Sequence, residues 1–76
     1  MPKLPRVIGQ NVLRALKRAG FEEVRVRGSH HFLVYPGDHT RWATVPVHSG
    51  EVLLPDTLSN ILKTSKLTIE ELIELL

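Results

Sequence analysis

Three glycine-containing breaks divide the first half of the chain into short segments and limit what it can fold into. Gly20 follows an amphipathic stretch, Gly28 and Ser29 interrupt a run of alternating residues, and the turn sequence "PGDH" begins at Pro36. Glycine adopts positive φ without steric cost, and Pro–Gly–Asp is a common turn combination. We therefore expect three antiparallel strands joined by turns, formed by "EEVRVRG", "HHFLVYP" and "RWATVPV".

Helical patterns lie on both sides of these strands. Before Gly20, with Gly9 as the expected N-cap, one apolar stripe recurs at helical spacing and consists of Ile8, Val12, Ala15, Leu16 and Ala19. After the strands, Pro55 begins a second helix, whose expected inward residues are Leu58, Ile61 and Leu62. Thr68 and Glu71 have capping-box spacing, which predicts a short last helix.

The order α-β-β-β-α predicts an α+β fold. We expect a three-stranded antiparallel sheet with its helices on one face, plus a short C-terminal helix. The chain has 76 residues and shows no linker, repeat or low-complexity segment, so we expect a single domain over residues 1–76 with one small core. The uncovered face of the sheet is left for solvent or for a partner.

Composition and charge narrow the class of protein. The chain has no cysteine, which excludes disulfides and Cys-based zinc sites. No apolar run approaches the ~18 residues of a membrane span, and the N-terminus lacks a signal peptide's apolar core, so we expect a cytoplasmic protein without a membrane partner. Residues 1–41 carry eight basic and three acidic residues, whereas 42–76 carry two and five. The basic half is typical of phosphate-backbone binding or of a solvated surface.

The adjacent histidines of "RGSHHFLVYP" are the clearest candidates for chemistry. Successive strand residues point to opposite faces, so His30 and His31 cannot hold one metal ion together, and we expect no metal site. His31 is expected to pack or hydrogen-bond. His30 closely follows Gly28, where the backbone can approach a ligand, and histidine can transfer a proton near neutral pH. From the residues alone, both a structural and a catalytic role for His30 stay open.

Several short motifs occur in a fixed order along essentially the whole chain. They are a helix ending in "AGF", "GSH" after the first strand, "TVP" followed by "HSG", and "PDTLSNIL" in the later helix. Together they resemble the HicA-type toxins, small mRNA interferases of type II toxin–antitoxin pairs. Two positions depart from the family's pattern: Ala43 replaces a common valine, and Ile8–Gly9 replaces a common Ser–Gly. Neither lies in "GSH".

The resemblance implies a fold like that of double-stranded-RNA-binding domains and an endoribonuclease that needs no metal or other cofactor. It makes Gly28 and His30 the positions needed for activity, with His30 as general base on a ribose 2′-hydroxyl and a 2′,3′-cyclic phosphate as product. A second acid/base residue is less clear; His48 is the best candidate, with loop anchoring as its alternative role. Candidate phosphate contacts, with solubility as the alternative role, are Arg25, Arg27, Lys17 and Arg18.

The implied partners are mRNA and a HicB-type antitoxin that covers the site, and the free toxin is expected to be a monomer. Two other functions fit the same residues: a non-catalytic RNA-binding module of the double-stranded-RNA-binding type, and a domain that docks a protein on its open face. The sequence leaves open which side of the second strand is buried, because one side carries His30, Phe32 and Val34 and the other His31, Leu33 and Tyr35. Trp42 fits either an exposed patch beside His30 or the core.

Overall fold

The computed structural model describes residues 3–76; the first two residues of the expected domain 1–76 lie outside this range. The elements follow in the predicted order, and the α+β prediction is confirmed. Their bounds are α1 Gly9–Arg18, β1 Glu22–Arg27, β2 His30–Tyr35, β3 Asp38–Pro46, α2 Pro55–Ser65 and α3 Ile69–Leu75. None of the helices within residues 3–76 is long and apolar enough to span a membrane.

The three strands form one antiparallel sheet in the order β1-β2-β3. Two tight turns join them at the predicted places, the first at Gly28 and Ser29 and the second at Pro36 and Gly37. β3 ends at Pro46, as expected of a residue that has no N–H to donate to a ladder. β1 and β3 are the two edges of the sheet.

Helix α1 differs from the prediction at its first residue. Gly9 is the first helical residue, and the N-cap is Ile8, which makes no side-chain cap hydrogen bond. At the other end, the N–H of Gly20 donates to the Lys17 carbonyl and that of Phe21 to the Leu16 carbonyl, both at 3.0 Å. With φ +105° at Gly20, this is the Schellman pattern that ends a helix, as predicted.

One cluster of buried side chains lies between the helices and one face of the sheet. The sheet contributes Leu33, Ala43 and Val45, each at most 1% exposed. The helices contribute most of the other members, among them Val12, Leu16, Leu58, Ile61 and Leu72, and the connecting segments contribute Val7, Phe21 and Leu67. The three predicted inward residues of α2 are all buried, and burial of Leu33 puts its neighbours His31 and Tyr35 on the helix-bearing face.

In β1, Val24 and Val26 alternate with Arg25 and Arg27, which predicts a half-buried strand, and this prediction is wrong. All six of its residues are exposed, and Val24 and Val26 retain 58% and 50% of their accessible surface. β1 is an edge strand, and the pairing register shifts between Glu23 and Arg25, so the regular alternation of the strand is broken there. Because both valines keep at least half of their accessible surface, their pattern reflects strand propensity and not core position.

The capping box predicted for the last helix is confirmed. The Thr68 hydroxyl accepts from the Glu71 backbone N–H at 3.1 Å, and the Glu71 carboxylate accepts from the Thr68 N–H at 2.9 Å. Of the apolar residues at this end of the chain, Leu72 in α3 is fully buried, whereas Ile73 in α3 and Leu76 at its C-cap are exposed. At the start of α2, Pro55 is the first helical residue and Leu54 is the N-cap.

Candidate active site

The turn between β1 and β2 holds the predicted active-site glycine. Arg27 pairs with His30, so Gly28 and Ser29 are the two central residues of a hairpin turn. Gly28 has φ +59°, and a Cβ built there would meet no described atom within 4 Å. Positive φ at the first central position alone is the pattern of a type II′ turn, where glycine is preferred. The backbone conformation, and not close packing, therefore requires glycine here.

The two adjacent histidines face opposite sides of the sheet. His31 lies on the helix-bearing side, where its Nδ1 is 2.7 Å from Oε1 of Glu23. That hydrogen bond, with a smaller contribution from the Lys17 ammonium 3.8 Å away, holds the pKa of Glu23 below its usual value. His30 is exposed on the open side, and within residues 3–76 its ring makes no hydrogen bond. The structure thus gives His31 an internal partner and leaves the imidazole of His30 accessible.

Two of the four candidate phosphate-binding residues lie on the same face as His30. Arg27 is the direct cross-strand partner of His30, and Arg25 is the partner of Phe32, the next residue of β2 on that face. Cross-strand partners share a face and lie about 4.5–5.5 Å apart at Cβ. The Arg25 guanidinium stands 5.6 Å from the centre of the Phe32 ring. The open face therefore has two cations beside the candidate catalytic histidine.

The other two candidates, Lys17 and Arg18, lie at the end of α1, on the opposite side of the sheet from His30. Lys17 makes an ion pair with Glu23 at 3.8 Å, and the Arg18 guanidinium donates to the Leu75 carbonyl at 2.8 Å. Helix α1 packs against the face that contains Leu33. These two residues are not brought together with His30.

A groove on the open side runs between β3 and α2, with His30 at one end. Its volume is about 380 Å³. Its lining residues are His30, Trp42, Thr44 and Pro46 from the sheet and Thr57, Asn60, Ile61 and Thr64 from α2. We call it the α2–β3 groove. Trp42 is 46% exposed, so its indole belongs to this open surface and not to the core.

His48 lies beside the turn that precedes His30. Its Nε2 is 3.4 Å from the Ser29 hydroxyl, and the Val47 N–H donates to the Ser29 carbonyl at 2.8 Å. These contacts tie the segment after β3 to the β1–β2 turn. His48 lines a neighbouring cavity of about 390 Å³, which shares Pro46 and Thr57 with the α2–β3 groove. Both roles considered for His48, anchoring and proton transfer, are compatible with this position.

The family model described as "HicA toxin of bacterial toxin-antitoxin" matches residues 9–67, a span that includes the β1–β2 turn, His30 and the whole α2–β3 groove. The chain belongs to the HicA toxin family. Membership in this family implies an antitoxin as partner. A search of curated proteins found no match. In this HicA-family chain, the fold and the family agree with the resemblance seen in the motifs.

The contribution of α2 to the site of this HicA-family chain was not predicted from the sequence. Thr57, Asn60 and Thr64 line the groove beside Trp42, and their three- and four-residue spacing places them on one face of the helix. That polar stripe was visible in "PDTLSNILKT", but only the packing of α2 beside β3 shows what it faces. Within the described range, no group of three His, Asp or Glu side chains is arranged to hold a metal ion.

Proposed function

We propose that this HicA-family chain is a cytoplasmic, monomeric, metal-independent endoribonuclease that cleaves mRNA, with His30 as general acid/base. A HicB-type antitoxin would neutralise it by covering the site. The observation that carries the proposal is the position of His30. Its imidazole is exposed on the open face, follows the Gly28–Ser29 turn, pairs across strands with Arg27 and lies at the α2–β3 groove.

The proposed reaction uses the RNA's own 2′-hydroxyl as nucleophile. His30 removes the hydroxyl proton, the 2′-oxygen forms a bond to the adjacent phosphorus, and the bond from phosphorus to the 5′-oxygen breaks. The departing 5′-oxygen takes up a proton from solvent, so the products are a 2′,3′-cyclic phosphate and a 5′-hydroxyl. Proton transfer by a positioned histidine contributes typically ~10²–10⁴-fold to such a step. Positioning of the RNA and stabilisation of negative charge supply the remainder.

Arg25 and Arg27 are the proposed contacts to the phosphate at the reaction centre, because both share the face of His30. Their guanidinium groups can donate paired hydrogen bonds to phosphate oxygens and oppose the charge that develops during attack. Lys17 and Arg18, on the helix-bearing side, would contact only a longer RNA that continues past the β1 edge. Gly28 would act indirectly, by giving the turn the conformation that presents His30.

The same surface is the proposed site of the antitoxin. Around His30 it exposes or half-exposes Phe32, Val34 and Trp42 beside the two arginines. Apolar groups with a basic rim are typical of an interaction surface, and a partner that covered them would exclude RNA. An equimolar HicB-type antitoxin is expected to stop cleavage, and Arg25→Glu is expected to weaken its inhibition.

A non-catalytic RNA-binding module is the second candidate, and one observation favours it. Among the described residues that line the α2–β3 groove, His30 is the one histidine, and none is an aspartate, glutamate or lysine. A reaction that needs both a general acid and a general base would therefore have to use His30 for both roles, as far as the described lining residues go. The module would bind RNA on the same arginines and leave it intact.

The deciding experiment incubates the purified protein with RNA in EDTA and compares wild type, His30→Ala and His31→Ala. We expect wild type to cleave, His30→Ala to lose at least ~10²-fold in rate, and His31→Ala to retain most activity. His31 is the matched control, since it is the same residue type one position away on the other face. Binding without cleavage by wild type would establish the second candidate, and cleavage by His30→Ala would remove His30 from the mechanism.

A further inference from the structure

We propose that the α2–β3 groove binds one nucleobase of the RNA, stacked on the indole of Trp42, and so positions a nearby phosphodiester of the same strand at His30. This inference rests on the proposed function and adds a base-binding residue to it. Trp42 and His30 line the same groove, and the register pairs Trp42 with Val34 and Pro46 with His30. Trp42 and Pro46 are four residues apart on β3. At about 3.3 Å per residue, the Cα atom of Trp42 therefore lies about 13 Å along the strand from that of Pro46, the partner of His30.

The chemistry of the groove favours a nucleobase as its occupant. The indole of Trp42 is 46% exposed. The bases of single-stranded RNA commonly stack on exposed aromatic side chains that lie beside a basic surface. Opposite it, Asn60, Thr57 and Thr64 on α2 supply amide and hydroxyl groups. These groups both donate and accept hydrogen bonds, so they can meet the polar edge of a base.

The distribution of charge separates the place for the base from the place for the phosphate. No arginine or lysine is among the described lining residues of the groove, whereas Arg25 and Arg27 lie on the opposite side of β2 from β3. A phosphate is therefore expected to bind beside those cations and not in the groove, whereas a neutral planar base has no charge that would favour the arginines. His30 on β2 lies between the two regions. The arrangement therefore fits a short RNA strand with one base toward Trp42 and a phosphate further along the strand toward the arginines.

Trp42 is the only tryptophan of the chain, so tryptophan fluorescence, excited at wavelengths that Tyr35 does not absorb, reports on this residue alone. The probe is a set of short RNAs of mixed sequence with 2′-O-methyl riboses, which lack the attacking hydroxyl and stay intact. A matched set with abasic sugars keeps the phosphates and removes the bases. We expect saturable quenching of Trp42 by the base-containing RNA and little or no quenching by the abasic RNA.

Three variants test the contribution of stacking to affinity, measured by anisotropy of a labelled RNA. Trp42→Ala is expected to weaken binding roughly 5- to 150-fold, the range for loss of one base-stacking aromatic. Trp42→Phe keeps an aromatic face and is expected to retain most of the affinity. Ile73→Ala, at an exposed apolar residue of α3, is the control and is expected to bind like wild type. In cleavage assays, Trp42→Ala should raise KM more than it lowers kcat.

The outcomes separate this inference from the proposed function. Cleavage by wild type together with unchanged affinity in Trp42→Ala, or with no quenching at saturation, would overturn the base-binding groove and leave His30 catalysis standing. Quenching by an antitoxin but not by RNA would also overturn it, in favour of a protein occupant. Base-dependent quenching without cleavage would support the groove and refute the nuclease. A wild-type protein that neither binds nor cleaves RNA would refute both.

Discussion

His31 Nδ1 lies 2.7 Å from Oε1 of Glu23 and joins the first two strands on the helix-bearing side of the sheet. Lys17 at the end of α1 contacts the same carboxylate at 3.8 Å. Glu23 on β1 therefore links His31 on β2 to Lys17 on α1. This contact gives His31 a hydrogen-bond partner that His30 lacks among the described residues.

We predict that His31→Ala lowers the thermal unfolding temperature but changes RNA cleavage by less than about tenfold, against at least ~10²-fold for His30→Ala. The reason is that His31 contacts Glu23 and not the open face. A double-mutant cycle with Glu23→Gln, followed by thermal unfolding, should show that the two effects on stability are coupled. Strictly additive effects would contradict the pairing, and a His31→Ala protein that folds but does not cleave would contradict the separation of roles.

We predict that Gly28→Ala costs about 1–2 kcal/mol of stability, because an L-residue is strained at φ +59° even though a methyl group has room there. Gly37→Ala is the matched control: Gly37 also has positive φ and open space, but lies in the other turn of the sheet. Both variants should lose stability in urea titrations, and only Gly28→Ala should lose cleavage beyond the unfolded fraction. Gly28→Asn should be milder, since asparagine tolerates positive φ better.

We predict that Gly9→Ala destabilises the protein, by roughly 1–3 kcal/mol, although alanine normally stabilises a helix relative to glycine. A Cβ at Gly9 would clash with the carbonyl oxygen of Pro46 and lie 3.2 Å from Cα of Val47. Gln10→Ala, at the next and exposed helical position, should be neutral or slightly stabilising. Because Pro46 lines the α2–β3 groove, Gly9→Ala should also weaken RNA binding. An unchanged urea midpoint would refute the close approach.

We predict that the free energy of unfolding falls as the pH drops below about 4.5. Hydrogen bonds hold the pKa values of three carboxyl groups below their usual 4.5 or 3.8: from His31 to Glu23, from Thr40 to Asp38, and from Thr68 to Glu71. The unfolded chain therefore binds more protons at acidic pH, so the stabilisation is present above the usual pKa values and is lost as the pH falls through the lower folded ones.

Urea midpoints at about pH 6 and about pH 3.5 measure this effect. Glu71→Gln removes one ionisable member of the capping box and should reduce the difference between the two midpoints. Glu74→Gln, at an exposed carboxyl on the last turn of the same helix and outside the capping box, is the control. A midpoint that is equal at both pH values would show that these hydrogen bonds do not favour the charged carboxylates.

Features that depend on neighbouring residues were predictable from the sequence. The helix end at Gly20, the turn at Gly28, and the capping box of Thr68 and Glu71 all occur where their local patterns placed them. Each depends on backbone conformation and hydrogen bonds within a few residues, so no information from the rest of the fold is needed. Even so, α1 begins at Gly9, one residue earlier than predicted.

Patterns that depend on burial were less predictive. Val24 and Val26 alternate with arginines, which is typical of a half-buried strand, but they lie on an exposed edge. In the same way, both sides of β2 are apolar, so alternation divided the two histidines without showing which one faces solvent. A strand pattern reports that residues alternate between faces, and not which face another element covers.

The sequence by itself determined the order of the elements, the positions of the turns and the separation of His30 from His31. Only the tertiary structure decided that His30 is the exposed one, because the helices bury Leu33, Ala43 and Val45 and so select the opposite face as the open one. The groove beside His30 is likewise tertiary. Trp42 and Asn60 lie on different elements and line one groove only because α2 packs beside β3, and that packing is a consequence of core burial over long sequence separation.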